Sequence, residues 1–147
     1  MKFDTIIIGG GLSGLTCGIA LAKKGKKAAV VCGGQSSLHF NSGSFDLMGY
    51  NDGKAVDNPA QTAGQLPGTH PYAKVNDIEA LAKEAKQLLE EAGIGTKGDC
   101  NKNHYRLSPI GKLMPTWLTM DGLFTVDNAE ELKSKKICLA NITGFLD

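Results

Sequence analysis

Residues 3–14 read Phe3-Asp4-Thr5-Ile6-Ile7-Ile8-Gly9-Gly10-Gly11-Leu12-Ser13-Gly14. A β-branched apolar run stops at a glycine cluster, and helical spacing begins behind it. The pattern predicts a buried parallel strand over 2–8, a tight turn and a helix N-terminus. Gly9, Gly11 and Gly14 form a Gly-x-Gly-x-x-Gly in which each glycine has its own task. The first permits a sharp turn, the second lets a phosphate approach the backbone, and the third lets helix and strand pack closely. Leu12 and Ser13 then open the helix, where unpaired N–H groups and the positive end of the helix dipole face an anion.

Working outward, 13–24 reads as a helix whose apolar side is Leu15, Cys17, Gly18, Ile19, Leu21 and Ala22, with Gly25 placed as a left-handed stop. Residues 28–32 form the second strand, so strand, helix and strand make a βαβ unit of a nucleotide-binding α/β fold. A signal peptide is the rival reading of this N-terminus. Asp4 and the glycines, Ser13 and Thr16 inside the apolar stretch speak against it. One part of the nucleotide pattern is missing. The second strand ordinarily ends in an acid that holds a ribose hydroxyl, but here that place falls on Cys32, followed by Gly33 and Gly34. A thiol is a poor substitute for a carboxylate acceptor, and no arginine stands beside it to favour a 2′-phosphate.

The chain has 147 residues, with 16 Lys and Arg against 15 Asp and Glu and a net charge of +1. That balance leaves no electrostatic footprint for nucleic acid. Cys17, Cys32, Cys100 and Cys138 show no Cys-x-x-Cys spacing, so no zinc or iron–sulfur site is expected. Cys17 and Cys138 lie in apolar runs and read as reduced core residues. The stretch 33–50 is rich in Gly and Ser and contains His39, Phe40 and Asp46, while 51–71 is polar, proline-punctuated loop.

Residues 75–92 carry apolar positions at helical spacing, with Asn76 as N-cap, Glu79 three residues inside and Gly93 as stop. Residues 105–109 and 112–118 read as a hairpin or ribbon turning at Ile110-Gly111. Trp117 and Tyr105 there are more readily packing residues than stackers on a cofactor. A short helix over 128–132, capped by Asn128, and a strand over 136–140 complete the pass. The resulting division is a βαβ start with a Ser/Gly loop over 1–50, an insertion over 51–133 with a helix at about 76–92 and a ribbon at about 104–118, and a returning core strand in 134–147. The partner strand and crossover that should follow are absent, so the domain reads as incomplete.

Residues 2–32, taken with Gly33-Gly34-Gln35-Ser36-Ser37-Leu38-His39-Phe40-Asn41-Ser42-Gly43-Ser44-Phe45-Asp46-Leu47, resemble the B-subunit family of anaerobic glycerol-3-phosphate dehydrogenases. The likeness continues through His70-Pro71-Tyr72, Arg106-Leu107-Ser108-Pro109-Ile110-Gly111, Thr116-Trp117-Leu118 and Lys135-Lys136-Ile137-Cys138 with Gly144. It covers nearly the whole chain, but family members are far longer, so the match is to an N-terminal portion.

The resemblance implies a Rossmann-like FAD/NAD(P)-binding core with an inserted helix and ribbon, truncated at the C-terminus. It implies oxidation of sn-glycerol 3-phosphate to dihydroxyacetone phosphate, with electrons passing to quinone. The implied partners are an FAD-containing A subunit and a membrane-associated iron–sulfur C subunit, and the implied place is the cytoplasmic face of the inner membrane. FMN is the cofactor the family suggests, and FAD the one the glycine motif suggests. The cofactor residues are then Gly9, Gly11, Leu12, Ser13, Gly14, Cys32, Gly33, His39, Ser42 and Gly43. Ser42 and Gly43 match a Ser/Gly stretch that lies against the flavin in related flavoproteins, and an ordinary turn would read the same. Arg106 pairs either with a phosphate or in a surface ion pair. No acid–base pair is evident, so no catalytic residue is assigned, and a fragment of this length is expected to be inactive. The rival readings are a non-catalytic docking role with a degenerate nucleotide fold, and another flavin oxidoreductase of the superfamily.

Overall fold

The computed structural model describes residues 1–138, 140 and 142–144. The chain divides into two compact units, Met1–Ser42 and Gly43–Asp147.

The first unit is the predicted βαβ. Strand β1 (Thr5–Ile8) pairs in parallel with β2 (Ala28–Val31), Ile8 opposite Val31, and helix α1 (Leu12–Lys23) connects them. The β-branched residues favour the extended backbone, and the strands start and stop within a few residues of their expected ends. Gly25, at φ +71°, takes the left-handed conformation expected of a helix stop. Helix α1 approaches the sheet through small residues. A Cβ on Gly18 would lie 3.4 Å from Val30 Cγ2 and 3.6 Å from Ile7 Cδ1, and one on Gly14 would lie 3.4 Å from Ile7 Cγ2. Ile7 and Val30 therefore face the helix, and alternation turns Ile6 and Ile8 to the other side of the sheet. There they are open: Ile8 is 89% exposed. The buried strand expected from the sequence is thus uncovered on one face. Cys17 is exposed as well, because α1 meets the sheet along its glycine face, not its thiol.

The second unit carries the core. Around it run β3 (Ser44–Phe45), the β4 (Tyr50–Asn51) and β5 (Lys54–Ala55) hairpin, α2 (Pro59–Gly64) and α3 (Ile78–Glu91). Then follow β6 (Thr96–Lys97), β7 (His104–Leu107), β8 (Leu113–Thr116), β9 (Leu118–Met120), β10 (Thr125–Val126) and α4 (Glu130–Lys133). The expected ribbon is β7–β8, antiparallel, with His104 opposite Thr116. Strand β10 extends it into the order β10-β7-β8, while Leu118 belongs to a separate sheet, β3-β9-β6. Ala60, Ala82, Cys100, Trp117 and Leu118 form the buried cluster, with Phe45, Leu47, Ile78 and Leu89 packed on it.

Trp117 is a core residue, 7% exposed, as its reading as a packing residue expects. Several other expectations are corrected here. The polar stretch 51–71 is not all loop: Asp52 (φ 47°) and Gly53 (φ 76°) turn the β4–β5 hairpin, and Asn58 caps α2 by accepting from Gln61 N at 2.9 Å. Asp77, not Asn76, caps α3, its Oδ1 accepting from Ala80 N at 2.8 Å. Asn128 does serve the short helix, accepting from Glu130 N at 3.0 Å, and Glu131 reaches back to Asp127 N at 2.8 Å. Residues 136–138 and 140 carry no strand, and Leu139 of the expected strand lies outside the described residues. Cys138 is exposed, and Cys100 is the buried thiol.

Candidate functional site

The glycine turn is a built structure. Gly9, at φ +110°, donates its N–H to Val31 O at 2.8 Å, which ties the end of β1 to the end of β2. A side chain on Gly14 would strike the Gly9 carbonyl, so helix and turn are locked together there. Gly9 is required by its backbone conformation and Gly14 by packing. Gly11 is required by neither. Its φ of −76° is open to any residue, and a Cβ there would meet nothing within 4 Å. Gly33 and Gly34, just past β2, have the same freedom. Such freedom alone marks no site, since Gly64 and Gly68 in the second unit share it. Its place does: Gly11 is the N-cap of α1, no side chain caps that helix, and its first turn holds no acid. Leu12 and Ser13 follow as the first helical residues, so their amides and the dipole's positive end stand beside a bare glycine. This is a cradle that a Cβ would fill, and the chemistry that suits it is a phosphate or pyrophosphate.

Cys32 joins this cluster. A Cβ on Gly10 would run into Cys32 Sγ, so the thiol lies against the turn, and it is exposed. The other candidates stand elsewhere. His39 sits in a single 3-10 turn, Ser37–Phe40, with its ring edge-on to Phe40 at 5.0 Å. Ser42 is exposed at the end of the first unit. Gly43 opens the second unit, where φ +77° and contact with Leu123 require a glycine, and its carbonyl accepts from Met120 N at 2.8 Å. Arg106, on β7, is half-buried, and its Nε is buried without a hydrogen-bond partner.

The second unit also holds buried polar chemistry that the sequence did not disclose. His104 Nε2 and Thr119 Oγ1 are 2.7 Å apart, joining β7 of one sheet to β9 of the other. Burial pushes the His104 imidazole below its ordinary value, and Lys97 adds to this while Asp127 opposes it. Burial also pushes the Cys100 thiol up, with Glu79 acting in the same direction. A cavity of about 460 Å³ lies between α3, Cys100 and Trp117, with Asp77, Glu79, Lys83, Lys86 and Asp99 of mixed sign around it. Nothing in that mixture selects a ligand. Polar residues on a ribbon ordinarily read as its solvent face, and only the pairing of two sheets over one face reveals His104 and Thr119 as interior. Among the described residues, no group of three or more His, Cys, Asp or Glu is placed to hold a metal, and no helix is long and apolar enough to cross a membrane.

The turn, the uncapped helix and the parallel pair define a dinucleotide-binding α/β unit, and comparison with known proteins specifies it. The model of the FAD binding domain family matches residues 4–145, and the chain belongs to that family. Among curated relatives, it is 43% identical over 154 residues to the B subunit of the anaerobic glycerol-3-phosphate dehydrogenase of Yersinia pseudotuberculosis serotype I, covering 100% of this chain and 36% of the relative. The corresponding B subunit of Yersinia enterocolitica is 44% identical with the same coverage. That of Pasteurella multocida is 40% identical over 153 residues, again across all of this chain and 36% of the relative. The chain therefore spans little more than a third of the length of these relatives. No solved structure matches it.

Proposed function

We propose that this chain is the flavin-binding part of the B subunit of an anaerobic glycerol-3-phosphate dehydrogenase. The observation that carries the reading is Gly11: a glycine without an internal reason, at an uncapped helix tip, in a chain of the FAD-binding family. The amides of Leu12 and Ser13 would hold the cofactor's phosphates, and Gly11 and Gly33 would let them come close. The flavin, when bound, supplies the electron-accepting chemistry, and the protein supplies position and potential. No catalytic residue is assigned.

The names of the relatives support sn-glycerol 3-phosphate as the substrate of the whole assembly and membership in a complex of several different chains. An A subunit with FAD, a C subunit with iron–sulfur clusters, transfer to quinone and a place at the cytoplasmic face of the membrane belong to the same proposal. So does FMN in place of FAD, which the missing ribose acid at Cys32 favours. The same departure supports a second reading, a docking protein whose nucleotide site has lapsed. The two part on one experiment. The intact protein, purified with its complex and then separated from its partners, is expected to carry flavin absorbance, and the released cofactor is identified by mass. A folded, intact protein that is colourless and takes up neither FMN nor FAD would leave only the docking role.

A further inference from the structure

We infer that one end of the β10-β7-β8 sheet is a docking surface for another chain of the complex, one that presents carboxylates around an apolar contact. This rests on the reading of the chain as one subunit of an assembly of different chains, and it adds where on this chain a partner sits.

The register brings two turns together. Arg106 pairs with both Met114 and Thr125, and Leu107 with Leu113, so β7 ends where β8 and β10 begin. The chain therefore turns twice at this end, over 108–112 after β7 and over 121–124 before β10, on strands that share β7 as neighbour. A bond from Ser108 N to Lys112 O at 2.8 Å closes the first turn, and Gly122, at φ +87°, bends the second. Turns ordinarily carry polar side chains. Here Ile110 is 82% exposed, Phe124 49%, and Leu123 is exposed beside it. One exposed apolar residue needs no explanation, but three on adjoining turns make a patch.

Cations border that patch. Lys97 Nζ donates to Leu123 O at 2.6 Å, on the second turn itself. Lys112 Nζ lies 5.7 Å from the centre of the Tyr50 ring. Arg106, next to the last residue of β7, is half-buried, and its buried Nε has no acceptor among the described residues. A buried donor left unmet is costly, so an acceptor brought by another molecule is favoured there. No carboxylate occurs from residue 104 to 120. Asp121 lies against Gly95, where a Cβ would strike its Oδ2, and Asp127 follows the far end of β10.

The charge pattern chooses the occupant. A second copy of this chain would set like charges face to face across a two-fold axis. Three cations fall short of the clusters of about four or more that read an anionic lipid surface. Arg106 is held by its sheet, and a guanidinium fixed in this way suits a carboxylate, which it grips with two parallel hydrogen bonds. Arginine and tyrosine around an apolar centre are also the residues that carry binding where proteins meet.

The test uses the intact protein and the remaining chains of its complex, separated and then recombined. Ile110 stands at the tip of a turn, so Ile110→Ser is expected to keep the unfolding midpoint and to weaken recombination about tenfold or more. Lys112→Gln is expected to weaken it about threefold, and added salt to weaken the wild type more than Lys112→Gln. Leu81→Ser, at an exposed leucine on α3, is the control and is expected to recombine as the wild type. In Ile110→Cys, maleimide labelling of residue 110, located by peptide mass, is expected to be fast in the separated protein and at least several-fold slower in the complex. Wild-type recombination by Ile110→Ser, or equal labelling in both states, would overturn the inference. So would slow labelling of the separated protein, which would mean that the same chain covers the patch. Protection that needs only a higher concentration of the separated protein would put a second copy there, and protection by phosphatidylglycerol vesicles alone would put a lipid surface there; either overturns it. A folded wild type that recombines with no other chain would overturn the assembly reading as well.

Discussion

The two units of this chain are held together by different means. In Met1–Ser42 no residue is buried, and the shape comes from backbone: a parallel register, a φ of +110° at Gly9, and a helix that reaches its sheet through Gly14 and Gly18. In Gly43–Asp147 the shape comes from side chains, with Leu118 1% exposed and Thr119 fully buried between two small sheets. The difference separates the part proposed to meet a ligand from the part that holds the buried core. A phosphate turn needs bare backbone and open space, which a core would fill. A core needs large side chains, which a phosphate turn excludes. The first unit also leaves Ile6 and Ile8 uncovered on a parallel pair of strands, an arrangement that is ordinarily covered on both faces.

The contrast is broken most strongly from the second unit. Leu118→Ala is expected to cost about 2–5 kcal/mol, the range for emptying a buried leucine site. Denaturant unfolding of the chain measures it, and a loss below about 1 kcal/mol would mean that this cluster is not the core. Next comes acid. Burial holds the folded-state value of His104 below its ordinary 6.5, so the folded chain favours neutral imidazole. Its contribution is complete above that ordinary value. It is lost as pH falls through it, because the unfolded chain takes up a proton that the folded chain refuses, at up to about 1.4 kcal/mol per pH unit. Urea midpoints from pH 8 to 5 should show this slope in the wild type and a smaller one in His104→Gln, which has no imidazole to titrate. Parallel slopes would remove His104 from the account. The smallest effect belongs to the first unit: Ile8→Ala, at 89% exposure, is expected to change stability by less than about 0.5 kcal/mol. A larger loss would show that its sheet face is covered in solution.

This division also explains what the sequence disclosed. The βαβ was legible because its geometry is set by glycines at fixed spacing, and Gly25 and Gly93, at φ +71° and +78°, stop their helices as read. The glycine turn and the uncapped tip of α1 were legible for the same reason. What sequence could not show was burial, which is settled by partners distant in the chain. Cys17 sits in an apolar run yet faces outward, and Cys100 sits among polar residues yet lies in the core. Residues 112–118 read as one strand, but the chain changes sheets at Trp117, and no local pattern marks such a change. Asn76 and Asp77 are both good caps, and only the helix's first turn decides between them. The β4–β5 hairpin was the exception: Asp52-Gly53 is a hairpin signal that a reading of polar loop passed over. Ser42 and Gly43 were read as one flavin-facing pair, but the boundary between the units falls between them, and Gly43 has its own packing reason to be glycine.

The central claim is that the open tip of α1 seats the cofactor's phosphates, and Gly11→Val tests it most directly. The substitution suits the backbone at φ −76°, and its Cβ meets no neighbour within 4 Å, so it fills the seat without a clash at that atom. Titration of the intact, cofactor-free protein with flavin, followed by fluorescence, is expected to show binding weakened at least tenfold, about 1.4 kcal/mol, with an unchanged unfolding midpoint. Equal affinity in Gly11→Val and wild type would contradict the claim.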